Sequence, residues 1–301
     1  MIDPIVATVE QVLDAGNLRQ TGAQFGDAVA IGFGFSFSGS DPTLLAVVGS
    51  WLEDTAGLDN GAVYLIGRGD SGWGTPIRVL PPPTLETGER CGYSVASLGI
   101  IAAFGCPGAN SNTGKAFKYS LFNGTVKELV PPAGTNFRDI GDFFGASIAF
   151  WITTDSHPYF VVGAPFHDVG KNSNVGAIHI FEDVDGLSLV WRKSDSGDAI
   201  PNAQLGTNVA MDGDDIVVSL PGDRFGRVDV YTKNSNNDWS RLANKLAAAD
   251  GHAGDLFGET VAINGNTIVV SAAGDDERGT DAGAAYVFVR DANGLWRQQQ
   301  N

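Results

Sequence analysis

Short apolar runs, separated by glycine, asparagine and aspartate, recur along the whole chain. Residues 254–290 read GDLFGETVAINGNTIVVSAAGDDERGTDAGAAYVFVR and contain three such runs, one Asn-Gly pair and an acidic loop rich in glycine. Runs rich in valine, isoleucine and aromatic residues between turn-forming residues are typical of β-strands. This segment therefore predicts three consecutive strands.

The first of these runs occurs five times. Each copy has a glycine, a β-branched residue three places later and an alanine directly after that residue. The glycines are Gly26, Gly92, Gly145, Gly206 and Gly258. A unit that returns at such a period indicates a repeat protein rather than unrelated strands.

The other runs follow the first in the same order each time. The second run lies at 44–51, 100–107, 159–165, 216–222 and 267–274, and the third at 61–67, 114–120, 176–182, 226–232 and 283–290. A more polar fourth run follows, often opened by a tryptophan, as at Trp73, Trp191, Trp239 and Trp296. The repeats then span approximately residues 21–80, 87–130, 140–194, 201–246 and 253–300, with 5–13 as a further candidate outer strand.

Turn-forming pairs connect the first and second runs in three repeats. They are Leu-Gly at 98–99, Asp-Gly at 212–213 and Asn-Gly at 264–265. Asn-Gly and Asp-Gly favour two-residue β-hairpin turns, because these residues tolerate a positive φ. Each repeat is therefore predicted to be a meander of four antiparallel strands.

The distribution of polar residues predicts how the repeats assemble. The first strand has small and β-branched residues on both faces, which indicates burial on both sides, whereas the fourth strand is polar. Such sheets pack radially as the blades of a β-propeller, so we predict one all-β propeller domain over residues 1–301. A β-sandwich would not explain five matching units. Five copies with six candidate outer strands fit either a closed five-blade ring or an arc of a larger ring.

Several dipeptides and one tripeptide resemble the FG-GAP repeat. These are Phe-Gly at 25–26, 144–145 and 257–258, and Gly-Ala-Pro at 163–165. The sequence departs from that pattern at Cys91 and Leu205, which replace phenylalanine, and in four repeats where other tripeptides replace Gly-Ala-Pro. The FG-GAP family forms the seven-bladed propeller of integrin α subunits and of many surface proteins.

The resemblance implies a function in recognition. It suggests a non-catalytic adhesion module, extracellular or at the cell surface, that binds a protein or a glycan through loops on one propeller face. The runner-up is a carbohydrate-active enzyme or lectin on a propeller scaffold; the chain is rich in carboxylates, but no spacing selects a pair for glycoside hydrolysis. The four histidines lie in different repeats, and no nucleophile or phosphate-binding motif is present.

The amino-acid composition limits the kinds of partner that we expect the chain to bind. The net charge is −16, with 35 acidic and 19 basic residues, which argues against nucleic acid because phosphate binding needs a basic surface. No apolar stretch is long enough for a membrane span, so we expect no membrane insertion. The N-terminal residues lack the basic start and apolar core of a signal peptide. For an extracellular protein, this fits a mature form or part of a longer polypeptide.

The loops between second and third strands carry the candidate ligand-binding residues. Aromatic residues beside carboxylates on exposed loops suit recognition; the alternative is a solvated loop whose Asp and Asn side chains cap turns. Asp275, Asp276 and Asp281 are a candidate Ca²⁺ site, since calcium prefers several carboxylate oxygens. The candidate ligand-binding residues are Trp51, Glu53, Asp54, Phe166, His167, Asp168, Asp275, Asp276 and Glu277.

The cysteines and one asparagine are candidate modification sites. If residues 98 and 99 form the hairpin turn, positions whose numbers sum to 197 face each other, and Cys91 then lies opposite Cys106. We predict a cross-strand disulfide in an exported protein, with two buried thiols as the alternative. Asn123 begins an Asn-Gly-Thr sequon and is a candidate glycosylation site.

Thiol alkylation tests the predicted disulfide. Cys91 and Cys106 are the two cysteines of the chain, so the unfolded protein should take up no alkylating reagent before reduction and two equivalents after it, as measured by intact mass. Two alkylated thiols in the unreduced protein would contradict the disulfide.

Overall fold

The computed structural model describes residues 21–33, 44–54, 58–69, 72–79, 87–131, 139–184, 187–194 and 199–299. The candidate outer strand at 5–13 lies outside these residues. The described residues form five antiparallel sheets, which we number 1 to 5, and the strands of each sheet are adjacent in chain order. The predicted meander is therefore present in every repeat.

The strands have the following bounds. Sheet 1 contains β1 (Phe25–Phe33), β2 (Leu44–Ser50), β3 (Ala62–Gly69), β4 (Gly72–Trp73) and β5 (Ile77–Val79), and both β4 and β5 pair with β3. Sheet 2 contains β6 (Ser94–Leu98), β7 (Ile101–Cys106), β8 (Lys115–Ser120) and β9 (Thr125–Glu128). Sheet 3 contains β10 (Ser147–Ile152), β11 (Pro158–Ala164), β12 (Ala177–Asp183) and β13 (Leu187–Ser194). Sheet 4 contains β14 (Val209–Asp212), β15 (Asp215–Leu220), β16 (Arg227–Lys233) and β17 (Trp239–Arg241), and sheet 5 contains β18 (Phe257–Asn264), β19 (Thr267–Ala272), β20 (Ala284–Arg290) and β21 (Trp296–Gln298).

Helical structure is confined to one turn in the described part of the chain. The segment α1 (Ala109–Asn112) includes Asn110 and Ser111 with φ of 51° and 59°, so it is a left-handed turn rather than a regular α-helix. The described residues contain no helix with the length and apolar character that a membrane crossing requires.

Successive sheets pack against each other through their first strands. β1 contacts β6, β6 contacts β10, β10 contacts β14 and β14 contacts β18. Short parallel bridges join the start of the third strand in one sheet to the next sheet, as between Gly61 and Cys91 and between Gly114 and Phe144. Within the described ranges, no contact of similar extent joins β18 to β1, so sheets 1 and 5 are the two ends of the series.

Apolar side chains fill the spaces between sheets. In β11, Phe160 and Val162 pack toward sheet 2, while Val161 packs toward sheet 4. All three side chains are buried. The alternation of the strand places neighbouring residues on opposite faces, so an uninterrupted apolar run is what a sheet covered on both sides requires.

The two-residue turns lie one residue later than predicted. Leu98 pairs with Ile101, Asp212 with Asp215 and Asn264 with Thr267, so each glycine is the first central residue of its turn. The φ values of Gly99, Gly213 and Gly265 are 60°, 56° and 54°. Glycine at the first central position is the preference of the type II′ turn, and the prediction erred by placing it second.

This shift also corrects the argument for the cysteines. Ser94 pairs with Gly105, so the register beside the turn sums to 199 rather than 197. A β-bulge at the corresponding place in sheets 1 and 5 changes the register by two. In sheet 2, Gly92 donates its N–H to Gly105, and Cys91 and Cys106 form a disulfide. The prediction placed the turn one residue early and left out the bulge, and these two errors cancel at Cys91 and Cys106.

At three of the four junctions between successive sheets, two glycines bring the backbones into close contact. One is the repeat glycine at the start of a first strand, and the other lies near the end of the second strand of the preceding sheet. A Cβ on Gly105 would lie 1.9 Å from the carbonyl oxygen of Gly145, and a Cβ on Gly163 would lie 2.0 Å from that of Gly206. Ser94 donates its hydroxyl to the same oxygen of Gly145. The glycines of the repeat motif therefore allow two backbones to meet.

We expect Gly163→Ala to destabilise the protein. The added methyl group would overlap the Gly206 backbone, and overpacking of this kind costs about 3 kcal/mol of the free energy of unfolding. Gly69→Ala is the matched control, because nothing lies within 4 Å of its Cβ position. Urea unfolding measures both variants, and equal stability of the two would contradict the contact.

Candidate functional site

A cavity of about 730 Å³ lies where the five first strands converge. Its lining includes residues from every sheet, at the positions that follow the repeat glycine. The residues directly after that glycine are Asp27, Tyr93, Ala146, Thr207 and Glu259, and all five line the cavity. The repeat thus places one variable side chain from each sheet around a shared space.

The start of the first strand is shaped by a bulge. The register shifts between Phe25 and Val29 in β1, and between Phe257 and Val261 in β18. Bulges redirect side chains and are common beside functional sites. Asp27 and Glu259 lie within these two bulges, on sheets 1 and 5.

Trp51 forms an aromatic corner of the cavity with residues of sheets 1 and 2. Its indole N–H donates to Asp27 Oδ2 at 2.7 Å, and its ring meets the ring of Tyr93 edge-on, with centroids 5.6 Å apart. The Arg90 guanidinium lies 5.7 Å from the Trp51 ring centroid. Tyr93 is 44% exposed. Trp, Tyr and Arg are the residue types that dominate binding hot spots.

The polar residues of the lining have two different roles. The hydroxyls of Ser94 and Ser147 donate to Gly145 and Gly206 of the next sheet, and Asn208 Oδ1 accepts from the Val261 N–H. These groups hold the sheets together. The charged residues of the lining are Asp27 and Glu259, both exposed. The cavity therefore has an acidic character.

Several predicted loop residues are buried and bonded within their own sheet. The position three residues after each second strand holds Glu53, Ala109, His167, Asp223 or Asp275. Glu53 accepts a hydrogen bond of 2.6 Å from the Tyr64 hydroxyl and pairs with Arg78 at 3.0 Å. Burial and the hydrogen bond to Glu53 raise the pKa of Tyr64 above its usual range. Glu53 is thus a structural partner of the third strand.

The same position in sheets 3 and 5 has comparable contacts. His167 Nδ1 lies 2.8 Å from Asp142 Oδ2, and both side chains are buried. Asp275 accepts from the Tyr286 hydroxyl at 3.0 Å and from the Glu277 N–H at 3.1 Å. Burial first, then hydrogen bonds to Asp250 and Asp275, raise the pKa of Tyr286.

A second buried position lies three residues before each repeat glycine. In sheets 1 and 4 this position holds an alanine and the loop position holds an acid. Sheet 2 has the reverse arrangement, with Glu89 here and Ala109 in the loop, and in sheets 3 and 5 both positions are polar. Glu89 pairs with Lys115 at 3.1 Å. Asp223 pairs with Arg227 at 2.5 Å. Every buried carboxylate named here thus has a partner from its own sheet.

The exposed acids that follow these positions stabilise the loops. Asp54 accepts from the Asp59 N–H at 2.8 Å, Asp168 from the Asn174 N–H at 2.8 Å and Asp276 from the Asp281 N–H at 2.7 Å. The three residues that donate have left-handed φ values between 50° and 53°. Short polar residues tolerate this conformation. Asp54, Asp168 and Asp276 therefore act as turn caps.

The structure brings one of the predicted ligand residues into the cavity. Trp51 lines the cavity, whereas Phe166 packs against Phe143 with ring centroids 5.0 Å apart. Glu277 is exposed in its loop. The predictions did not include Asp27, Tyr93 and Glu259. Their signal was available in the sequence, because each directly follows a repeat glycine and the residue at this position differs in all five repeats.

Two groups of side chains in the described ranges have donor atoms close enough to share a metal ion. They are Asp139, Asp142 and His167, and Asp155, His157 and Glu182. The proposed calcium ligands Asp275, Asp276 and Asp281 form neither group and remain a prediction. Asp142 already accepts from the Asp139 N–H and contacts His167.

A lysine side chain already contacts the second group. The Lys233 ammonium of sheet 4 contacts Asp155 of sheet 3, and His157 Nδ1 lies 2.6 Å from Glu182. Burial alone would raise the pKa of Asp155, but hydrogen bonds from Lys233, Thr153 and the His157 backbone lower it to about 2. This cluster therefore connects two sheets as an ion-pair network.

The sequon asparagine lies in the turn between β8 and β9. Asn123 is exposed, and its Oδ1 accepts hydrogen bonds from the Thr125 N–H at 3.2 Å and hydroxyl at 2.7 Å. Glycosylation at this position stays a prediction.

Part of the chain is similar to a known repeat family. Residues 239–288 match the FG-GAP repeat family. The matched segment begins at β17 of sheet 4 and ends within β20 of sheet 5, so it includes β18, β19 and most of β20. No curated protein matches the chain.

We expect Asp155→Asn to lower stability in a pH-dependent manner. The folded-state pKa of about 2 lies below the ordinary aspartate pKa of 3.8, so the contribution of Asp155 is present above pH 3.8 and is lost as the pH falls through about 2. Urea unfolding of the wild type and the variant should differ most at pH 5–7 and converge near pH 2.

Asp54→Asn is the control. It also removes one charge, but Asp54 is exposed, and an asparagine at this position can still accept the hydrogen bond from the Asp59 N–H. A stability difference for Asp155→Asn that stays constant from pH 6 to pH 2 would contradict the ion pair with Lys233.

Proposed function

We propose that this chain is a β-propeller recognition module that binds its ligand at the axial cavity. Five sheets of one topology, the sequential contacts between their first strands and the FG-GAP match support the propeller arrangement. In such a fold the first strands surround the axis. A cavity lined by all five first strands fits that geometry.

The aromatic corner is the main support for ligand binding at the cavity. Trp51, Tyr93 and Arg90 belong to neighbouring sheets and contact one another at the edge of the cavity. Trp51 is fixed by its hydrogen bond to Asp27, so a ligand would meet a pre-organised surface and lose little affinity to ordering it. Aromatic rings beside hydroxyl and carboxylate groups suit a protein or a glycan ligand.

A non-catalytic role agrees with how the buried ionisable groups are used. Glu53, Asp142, Asp223 and Asp275 are each bonded to a tyrosine, histidine or arginine of their own sheet. These contacts stabilise the fold. The disulfide between Cys91 and Cys106 supports an extracellular location, because disulfides persist in oxidising compartments.

Trp51→Ala and Tyr93→Ala should each weaken ligand binding by tenfold or more, because hot-spot residues contribute about 2 kcal/mol or more. The binding assay uses a glycan array and a panel of immobilised cell-surface proteins, each with Ca²⁺ and with a chelator. Ligands found with the wild-type chain are then titrated against the variants.

Phe122→Ala is the matched control, since Phe122 is an exposed aromatic residue in the β8–β9 turn, outside the cavity lining. An equal loss of binding in Phe122→Ala, or unchanged binding in both cavity variants, would place the ligand elsewhere. Turnover of an array polysaccharide would overturn the non-catalytic assignment.

A further inference from the structure

Two loops of sheet 3 bring two aspartates and a histidine together. Asp139 and Asp142 precede β10, and His167 lies in the loop between β11 and β12. One donor atom from each residue lies within 4.8 Å of the donor atoms of the other two. Asp142 and His167 are buried, whereas Asp139 is exposed. We call these three residues the Asp-Asp-His group; it is anchored in the interior and reaches solvent on one side.

Backbone hydrogen bonds hold the two loops of the group in place. The Asp142 N–H donates to the Asp139 carbonyl at 3.2 Å, and the Phe166 N–H donates to the Asp142 carbonyl at 3.3 Å. The His167 N–H donates to the Ala164 carbonyl at 3.2 Å. A ligand would therefore meet a group whose backbone is already ordered, which lowers the entropic cost of binding.

The corresponding acids in sheets 1, 2 and 4 are neutralised by a basic side chain. The pairs are Glu53 with Arg78, Glu89 with Lys115 and Asp223 with Arg227. Among the described residues, neither Asp139 nor Asp142 pairs with a lysine or an arginine, and Asp142 contacts His167. Buried carboxylates are normally paired or bound to a metal ion. The Asp-Asp-His group thus has a neutral-type metal ligand where the other sheets have a fixed positive charge.

A second histidine of the same repeat lies behind His167. Histidines 157, 167 and 179 all belong to this repeat, which corrects the expectation that the four histidines lie in different repeats. His179 of β12 holds the strand position of Tyr64 and Tyr286, and all three pair with a valine of the second strand. The repeat phenylalanine meets each of the three rings edge-on, with centroids 5.1, 5.2 and 5.5 Å away from His179, Tyr64 and Tyr286. The buried His179 ring is therefore oriented like the two tyrosine rings.

The two tyrosines show what this strand position contacts. In sheets 1 and 5 the tyrosine hydroxyl donates to Glu53 at 2.6 Å and to Asp275 at 3.0 Å. Both acids hold the loop position that His167 holds in sheet 3. Sheet 3 thus has histidine at both positions where sheets 1 and 5 have a tyrosine and an acid. Histidine is the commonest metal ligand among the side chains.

The ligand types of the group favour zinc over calcium. Imidazole suits Zn²⁺, whereas Ca²⁺ takes about six to eight oxygen ligands. Zn²⁺ binds imidazole nitrogen and carboxylate oxygen at about 2.0–2.2 Å, and three protein ligands leave a fourth position for water. Asp155, His157 and Glu182 offer similar residue types, but the Lys233 ammonium already contacts Asp155.

We propose that Asp139, Asp142 and His167 bind one Zn²⁺ ion, with the fourth coordination position directed to solvent. The ion links the loop before β10 to the loop after β11. His179 is a positioning residue behind His167. The three ligands lie outside the lining of the axial cavity, so the zinc site and ligand binding at the cavity can fail independently.

Isothermal titration calorimetry of the full chain, freed of metal with a chelator and then dialysed, tests the proposal. The wild type should bind one Zn²⁺ per chain, and Zn²⁺ should raise the thermal unfolding midpoint because it binds the folded state. An excess of Ca²⁺ or Mg²⁺ should not displace Zn²⁺, since both prefer oxygen ligands only. Cys91 and Cys106 do not compete for zinc, because they form a disulfide.

Two variants remove the site while the fold is kept. Asp139→Asn changes an exposed ligand. His167→Asp combined with His179→Tyr installs the pair that sheet 5 forms with Asp275 and Tyr286. Loss of an outer partner alone costs about 10- to 100-fold in metal affinity, so each variant should lower Zn²⁺ affinity by about tenfold or more. Both should keep the metal-free unfolding midpoint within a few degrees of the wild type.

His157→Gln is the matched control, because it removes a histidine of the same sheet that belongs to the other group; its Zn²⁺ affinity should equal that of the wild type. A wild type that binds no Zn²⁺, unchanged affinity in Asp139→Asn and in the double variant, or a loss of binding in His157→Gln would each overturn the proposal.

Discussion

The close approach of two backbones, one from each of two neighbouring sheets, governs the rest of this structure. At three junctions the repeat glycine of one sheet lies against a glycine of the preceding sheet, and a methyl group added to that second glycine would lie about 2 Å from a carbonyl oxygen, which is far inside the ordinary contact distance. Where the backbones are this close, the adjoining positions of the first strands have room only for small side chains, such as Ser94 and Ser147. The bulky aliphatic and aromatic residues then fill the wider space farther from that contact.

The sequence was sufficient to predict the strands, their order and the repeat. The prediction depended on the constant spacing between a glycine, a β-branched residue and an alanine. This spacing is kept because each repeat makes the same close backbone contact with the neighbouring sheet. The two-residue turns were placed one residue early, because an Asn-Gly or Asp-Gly pair does not by itself fix which residue takes the first central position. The bulge was missed for a similar reason, since a two-residue register change leaves the alternation of side chains unaltered.

The site was harder to predict than the fold. Glu53, His167 and Asp275 have the residue types of a binding site, yet they are buried and bonded to Tyr64, Asp142 and Tyr286. Local sequence could not show this, because the partners lie 11 to 25 residues away. Tyr93 and Glu259 were not predicted, because the cavity that they share forms only when distant repeats converge. Variation at a fixed repeat position would have been the useful criterion.

The buried acids have a consequence for how such a chain can grow. Glu53, Glu89, Asp142, Asp223 and Asp275 each find a hydrogen-bond or ionic partner within the same sheet. A gene duplication that copies one whole repeat therefore also copies the residue that compensates its buried carboxylate. A crossover inside a repeat would separate the two and leave an unsatisfied group in the interior. Recombination is thus tolerated between units and penalised within them, which favours changes in repeat number over mosaic repeats.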